Sequence, residues 1–328
     1  MNKSKIKRIG VLTSGGDSPG MNAGIRAVVR SSIYYGIKVS GIRRGYEGLI
    51  EGDIFDYESG SVGNILQRGG TVLKTARSEE FKSEEGRKEA FKQLKEKLVD
   101  ALIVIGGDGT FRGAKEFYDE FNFPIIGIPG TIDNDLFGTD NTIGYDTALN
   151  TVVEAIDKIR DTAHSHHRLF FVEVMGRDAG YIALTSGIAV GAESILIPET
   201  ETNVDTLIRT LETGWRRKKQ FGIVVVAEGD EAGGAFAVAN AVQTKFTNYD
   251  IRVSVLGHIQ RGGNPTCFDR VIASQMGKAA VENLLDGKTN VMVGIVDKKI
   301  KLTSLNRAIK TNKSINKDLL HLAEILAT

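Results

Sequence analysis

The chain has 328 residues, with 42 Lys+Arg against 41 Asp+Glu, 41% hydrophobic and 25% charged residues. These are ordinary globular values for a length that suggests about two domains, and the balanced charge gives no footing for a nucleic-acid partner. One cysteine, Cys267, excludes an internal disulfide and any multi-cysteine metal site and fits a reducing compartment. The apolar run near the N-terminus covers only about four residues, short for a secretory signal, and no window approaches the roughly 18 apolar residues of a membrane span. A soluble, cytoplasmic protein is expected.

In chain order, strand-like runs occupy residues 8–13 (RIGVLT), 37–42, 101–106 (ALIVIG), 124–129 (PIIGIP), 169–174 (LFFVEV), 194–198, 222–228 (GIVVVAE), 252–257 and 291–296. Between them lie helical patterns over 19–35, 84–98, 145–162, 203–218 and 266–286. Apolar runs without polar alternation, separated by helices, predict parallel sheets covered on both faces. The fold class expected is therefore α/β, with two doubly wound, mainly parallel-sheet units and no floppy linker. Ligands of such sheets bind beyond the carboxyl ends of the strands.

Two strands run into glycine loops, VLTSGGDSPGMN after the first and VIGGDGTFRGA after the run at 101–106. Ser18 is expected to cap the first following helix with Pro19 at its first position, and Thr110 to cap the second. Such loops let backbone N–H groups approach an anion at a helix N-terminus. Asp108 sits among those glycines, and a carboxylate beside a polyphosphate calls for a divalent cation between them. The third element is GTIDNDLFGTDNTIGYDT, residues 130–147, with Asp133, Asp135, Asp140 and Asp146 and no lysine or arginine. If the backbone stays extended past the strand, Thr131, Asp133 and Asp135 point to one side. Carboxylates so crowded need a cation, a proton or arginines. Taken alone, the stretch also reads as a solvated loop. HSHHR, with His164, His166 and His167, invites a metal reading that is disfavoured, and WRRKKQ (215–220) reads as a solvated helix end.

Five segments, LTSGGDSPGMNAGIRAVVR, VIGGDGTFRGA, PGTIDND, VEVMGRDAGYIAL and VLGHIQRGGNP, come in the order of the motifs of bacterial-type ATP-dependent 6-phosphofructokinases, which the chain resembles over about residues 7–300. The resemblance implies transfer of the γ-phosphoryl group of ATP to the 1-hydroxyl of fructose 6-phosphate, with Mg²⁺ as cofactor. It implies Asp133 as general base, with Thr131 and Asp135 positioning substrate and metal and Arg177 contacting the transferring group. Gly16, Tyr46, Arg77, Ser78, Gly107, Asp108, Gly109 and Thr110 fall at nucleotide contacts, Asp108 being the metal-associated aspartate. Thr131, Asp133, Met175, Gly176, Arg177, Glu228, His258 and Arg261 fall at sugar-phosphate contacts. Arg168 and Arg252 fall at arginines that reach the sugar phosphate from a neighbouring subunit, which implies a homotetramer with shared sites.

Pyrophosphate-dependent relatives carry an aspartate at the place of Gly109 and a lysine at the place of Gly130, so ATP is the expected donor. Pyrophosphate dependence, and a catalytically silent nucleotide sensor, stand as the alternatives. Other GGDGT kinases, acting on NAD or lipids, lack PGTIDND and HIQRGG. Ser78 and Lys82 depart from the family's nucleotide site, since a lysine lacks the bidentate fork of an arginine. Arg26, Arg30, Arg160, Glu193, Arg217 and Lys219 match an effector site, where Ser59, Asn64 and Phe221 are departures that imply weak regulation. The ATP domain is expected at 1–144 and 260–310, and the fructose 6-phosphate domain at 145–259 and 311–328.

Overall fold

The computed structural model describes residues 6–163, 168–217, 221–245 and 250–327. The strands among them are β1 Arg8–Thr13, β2 Lys38–Ile42, β3 Ile54–Tyr57, β4 Ala101–Gly106, β5 Ile125–Pro129, β6 Arg168–Val174, β7 Ser194–Leu196, β8 Gly222–Ala227, β9 Asp250–Val255, β10 Val291–Val296 and β11 Lys299–Ser304. The helices are α1 Met21–Tyr34, α2 Gly45–Ile50, α3 Glu84–Glu96, α4 Asp108–Phe121, α5 Tyr145–Ala163, α6 Tyr181–Ala189, α7 Val204–Arg216, α8 Gly234–Lys245, α9 Cys267–Leu285, α10 Leu305–Lys310 and α11 Lys317–Leu326. None is long and apolar enough to cross a membrane. The chain divides into two compact units, one of residues 1–132, 136–147 and 261–313, the other of 133–135, 148–260 and 314–328.

The first unit holds a seven-stranded sheet in the order β11-β10-β5-β4-β1-β2-β3. Its interior pairings are parallel, and only the edge strands β3 and β11 run antiparallel to their neighbours. Successive residues of each central strand enter different cores. Ile9, Val11, Ile103 and Ile105 pack with α1 and α9, whereas Leu12, Leu102 and Val104 pack with Phe111 and Phe117 of α4. A strand buried on both faces has no polar side to show, which is why these runs lack alternation. The second unit holds a wholly parallel four-stranded sheet, β7-β8-β6-β9. Leu169, Phe171, Val224 and Val226 meet Leu207 and Leu211 of α7 and Val238 and Val242 of α8 on one face. The sheets thus take the α/β form that the apolar runs predict.

Two expected helix caps are corrected. Helix α1 begins at Met21 after Gly20, whose φ of 108° is in the left-handed region. Ser18 therefore lies outside the helix, and its carbonyl accepts from Met21 N. Helix α4 begins at Asp108 with Gly107 as its cap. Thr110 is one turn too late to cap it, and its hydroxyl is used elsewhere. The extended alternation expected for 131–135 is also absent. The chain turns at Ile132–Asp133, and Asn134 has φ 53°, so Thr131, Asp133 and Asp135 do not form one row of a pleat.

Candidate functional site

In the first unit the loops after β1 and β4 are locked to each other through Thr110. Its Oγ1 donates to the Ser14 carbonyl at 3.0 Å, and its own carbonyl accepts from the Tyr46 hydroxyl at 2.6 Å. A side chain on Gly106 would collide with Thr110 and with the Ser14 carbonyl, so this close approach requires glycine. Tyr46 is buried and stacked on Phe81 with centroids 3.9 Å apart. Burial pushes its hydroxyl far above the ordinary tyrosine value, so it stays a neutral donor. Ser14 N completes the lock by donating to the Ile105 carbonyl at 3.0 Å.

Asp108 opens α4, where the helix N-terminus favours negative charge, and its carboxylate accepts from Arg112 Nε at 2.9 Å. Gly109 faces open space, with nothing within 4 Å of an added Cβ. Gly130 differs, because a side chain there would press on Ile105 and Met21 at 3.0 and 3.1 Å. Its glycine therefore has a packing cause independent of any donor. A Cβ on Gly16 would displace the Arg261 guanidinium, whose Nη1 donates to the Asp17 carbonyl at 3.3 Å. Arg77 is exposed, Ser78 Oγ accepts from Phe81 N at 3.2 Å, and Lys82 is held by Glu79 at 2.7 Å.

The carboxylate-rich motif begins against these loops. Gly130 N donates to the Gly106 carbonyl at 3.0 Å, and Gly107 lies 3.5 Å, by its Cβ direction, from the Thr131 side chain. Thr142 Oγ1 donates to the Thr131 carbonyl at 2.5 Å. Thr131 and Asp133 are buried and Asp135 is half-buried. Elsewhere in the first unit, the fully buried Asp269 of α9 holds the start of α5. It accepts from Gly144 N and Thr147 N at 2.8 Å and from Thr147 Oγ1 at 2.5 Å. Burial raises the Asp269 carboxyl from 3.8 to about 6 despite those bonds.

In the second unit, Met175, Gly176 and Arg177 form a turn just beyond the carboxyl end of β6, with φ 146° at Gly176 and 55° at Arg177. Glu228, following β8, accepts from Gly176 N at 3.3 Å and Arg177 N at 2.8 Å through one carboxylate oxygen. Gly229 leaves room for the Arg177 carbonyl. The Arg177 side chain is exposed and His258 is exposed too, so His258 is not a core histidine. Arg168 and Arg252 lie at the opposite, amino end of the sheet and share Asp250 at 3.3 and 2.8 Å.

The effector candidates divide between the units. Arg26, half-buried, and Arg30, exposed, lie on α1 of the first. In the second, Arg160 Nη2 donates to the Val190 carbonyl, and its guanidinium stands 5.9 Å from the Phe221 ring. Glu193 N donates to the Ile223 carbonyl in the same neighbourhood, and Arg217 is an exposed end of α7. Lys219, His164, His166 and His167 lie outside the described residues. Among those described, no group of three or more His, Cys, Asp or Glu forms a metal-holding cluster. Asp269 and Gln260 are buried polar residues to which the sequence assigns no role, although Gln260 falls inside the HIQRGG segment. Asp269 lies in the first turn of α9, after its N-cap Thr266.

A family model described as Phosphofructokinase matches residues 8–284. The ATP-dependent 6-phosphofructokinase 2 of Bacteroides thetaiotaomicron is 53% identical over 322 residues, which cover 98% of this chain and 99% of that protein. The ATP-dependent 6-phosphofructokinase 1 of Thermus thermophilus is 54% identical over 322 residues, covering 98% and 100%. Among solved structures, a phosphofructokinase from Saccharomyces cerevisiae aligns with a TM-score of 0.88 at 37% identity, covering 98% of this chain and 48% of that one.

Proposed function

The chain belongs to the phosphofructokinase family, and from that premise we propose that it transfers the γ-phosphoryl group of ATP to the 1-hydroxyl of fructose 6-phosphate. The observation that carries the reading is the meeting of two interlocked glycine loops with the Thr131 end of the carboxylate motif, at Gly106 and Gly107. Loops of that kind suit a polyphosphate, and an adjoining carboxylate suits the activation of a hydroxyl. We assign the first unit to ATP and the second to the sugar phosphate.

In this reading Asp133 accepts the proton of the sugar hydroxyl as its oxygen bonds to the γ-phosphorus. The bond from that phosphorus to the β-γ bridging oxygen breaks, and ADP leaves. Phosphoryl transfer asks mainly for positioning and charge neutralisation. Arg177 supplies an exposed cation for the equatorial oxygens, and Thr131 and Asp135 flank the base. Gly16, Gly107, Gly109 and Thr110 line the donor loops, with Tyr46, Arg77 and Ser78 around them. Glu228, Met175, Gly176, His258 and Arg261 serve the sugar phosphate, Glu228 by fixing the backbone of the Arg177 turn.

The donor set suits Mg²⁺. That ion keeps several waters and binds through one or two carboxylates plus phosphate oxygens, so the lone Asp108 beside open glycines is the expected form of site, and a protein cage is not. When bound, it would neutralise charge on the donor phosphates, with Asp108 as its protein ligand. Gly109, with free space around it, supports ATP over pyrophosphate. Gly130 adds nothing to that choice.

The sheet of the second unit supports sites completed by a neighbour. Arg168 and Met175 bracket the seven-residue β6, which spans about 20 Å. One small dianion cannot be held from both ends of it by the same chain. Arg168 and Arg252 therefore reach the ligand of another subunit, and we propose the homotetramer. Regulation by nucleoside diphosphate or phosphoenolpyruvate is weak in this reading, because Arg160 is already engaged by Val190 and Phe221 and Ser59 and Asn64 add no charge.

A coupled assay with fructose 6-phosphate as acceptor tests the whole. ADP should form only when the sugar is present, and pyrophosphate should replace ATP poorly. Equal turnover with both donors would overturn the donor assignment, and no sugar-dependent turnover would overturn the function.

A further inference from the structure

The turn that carries Arg177 has its three successive amides answered by side-chain oxygens. Glu228 takes two of them, at Gly176 and Arg177. The third, Met175 N, donates at 3.1 Å to Oε1 of Gln260, a residue with no exposed surface. The other end of the same amide, Nε2, donates at 3.0 Å to the carbonyl of Gly257, whose φ is 53°. One fully buried amide is thereby spent on two turns. The first follows β6 and presents Met175, Gly176 and Arg177, and the second, Gly257–Arg261, presents His258 and leads to Arg261.

From this geometry we propose that Gln260 is a positioning residue for sugar-phosphate recognition, its amide setting the Met175–Arg177 turn in register with the turn that carries His258. The inference rests on the sugar-phosphate reading given above. Gln260 touches no substrate in it. A buried amide with donor and acceptor both satisfied has one orientation, and a low-dielectric surrounding strengthens each bond. No other side chain of that length that is ordinarily neutral offers an acceptor to an N–H and a donor to a carbonyl at once. Arg177, a non-glycine residue at φ 55°, holds a backbone conformation that persists only where its surroundings fix it.

Steady-state kinetics of Gln260→Met and Gln260→Glu against wild type provide the test, with KM for fructose 6-phosphate and for ATP measured separately. Methionine keeps the length and loses both bonds, so KM for the sugar should rise by about tenfold or more while KM for ATP stays within about twofold. Glutamate keeps the acceptor for Met175 N but, when ionised, opposes the Gly257 carbonyl. When protonated it again carries one donor and one acceptor. A carboxyl at this wholly buried position is raised by desolvation, so the variant's sugar KM, taken as a ratio to wild type at each pH, should fall towards one as pH is lowered from 8 to 6. A Gln260→Met enzyme within twofold of wild type, or one in which both KM values rise together, would overturn the proposal. Should that variant fail to fold, a pH-independent ratio for Gln260→Glu would overturn it instead. Wild-type protein lacking sugar-dependent turnover would remove the underlying function, a result distinct from all of these.

Discussion

Asp269 couples the stability of this chain to pH in an unusual direction for an aspartate. Its carboxyl is raised from 3.8 to about 6 by burial, so the native state holds the proton more tightly than the unfolded chain. The contribution of the protonated form to stability is complete below 3.8 and is lost as pH rises through about 6. At neutral pH the ionised carboxylate costs roughly 3 kcal/mol relative to its protonated form, at about 1.4 kcal/mol per pKa unit. Between pH 7.5 and pH 5.0 this one group should return about 1.4 kcal/mol. Other carboxylates titrate in the same range, and Asp146 faces the same network through Thr266 Oγ1, so the assay is a difference of differences. Urea midpoints at pH 7.5 and 5.0 are compared for wild type and Asp269→Asn. Asparagine cannot accept from all three donors, but that loss is the same at both pH values and cancels. Wild type should gain on acidification about 1.4 kcal/mol more than the variant. Equal pH responses would refute the claim that Asp269 is carried as a desolvated anion.

Asp133→Asn should lower kcat by about 10²–10⁴-fold, with a smaller change in sugar KM, in steady-state assays; a change of only a few fold would exclude the general-base role. Gly109→Asp should raise KM for ATP through like-charge repulsion while leaving the melting temperature near wild type, because an added Cβ meets nothing within 4 Å. A fall in melting temperature that accounts for the lost activity would contradict this. Gly16→Ala should displace the Arg261 guanidinium and raise KM for fructose 6-phosphate, and adding Arg261→Ala should cost little more. Fully additive losses would separate the two residues. Arg168→Ala chains reassembled with Asp133→Asn chains should regain activity that neither possesses alone, and inactive hybrids would rule out sites shared between subunits.

The parallel cores were legible because both faces of β1, β4 and β8 are apolar, leaving runs that no surface strand would carry. The glycine loops and the carboxylate motif were legible as composition, and the family resemblance ordered them. Their local geometry was not. Ser18 and Thr110 have the right chemistry for caps, yet the cap positions fall to Gly20, in the left-handed region, and to the extended Gly107, and Thr110 is committed to Ser14. The row of Thr131, Asp133 and Asp135 dissolved at Asn134, whose left-handed backbone a single sequence does not reveal. The roles of Gln260, though it sits within HIQRGG, and of Asp269 were not legible because their partners lie 85 and 122 residues away, and no local period encodes such distances.

Arg252 belongs to β9, an edge strand of its sheet. The backbone of an edge is a template onto which another extended chain can add, and proteins blunt it with charge or brevity. β7, at the other edge, is only three residues long, and β11 of the seven-stranded sheet alternates exposed lysines, Lys299 and Lys301. On β9 the guard is the exposed pair Asp250 and Arg252. The arginine proposed to grip a sugar phosphate would therefore also discourage unwanted strand addition. Chains that lose this charge should be more prone to aggregate while still folding, a cost separate from any loss of activity.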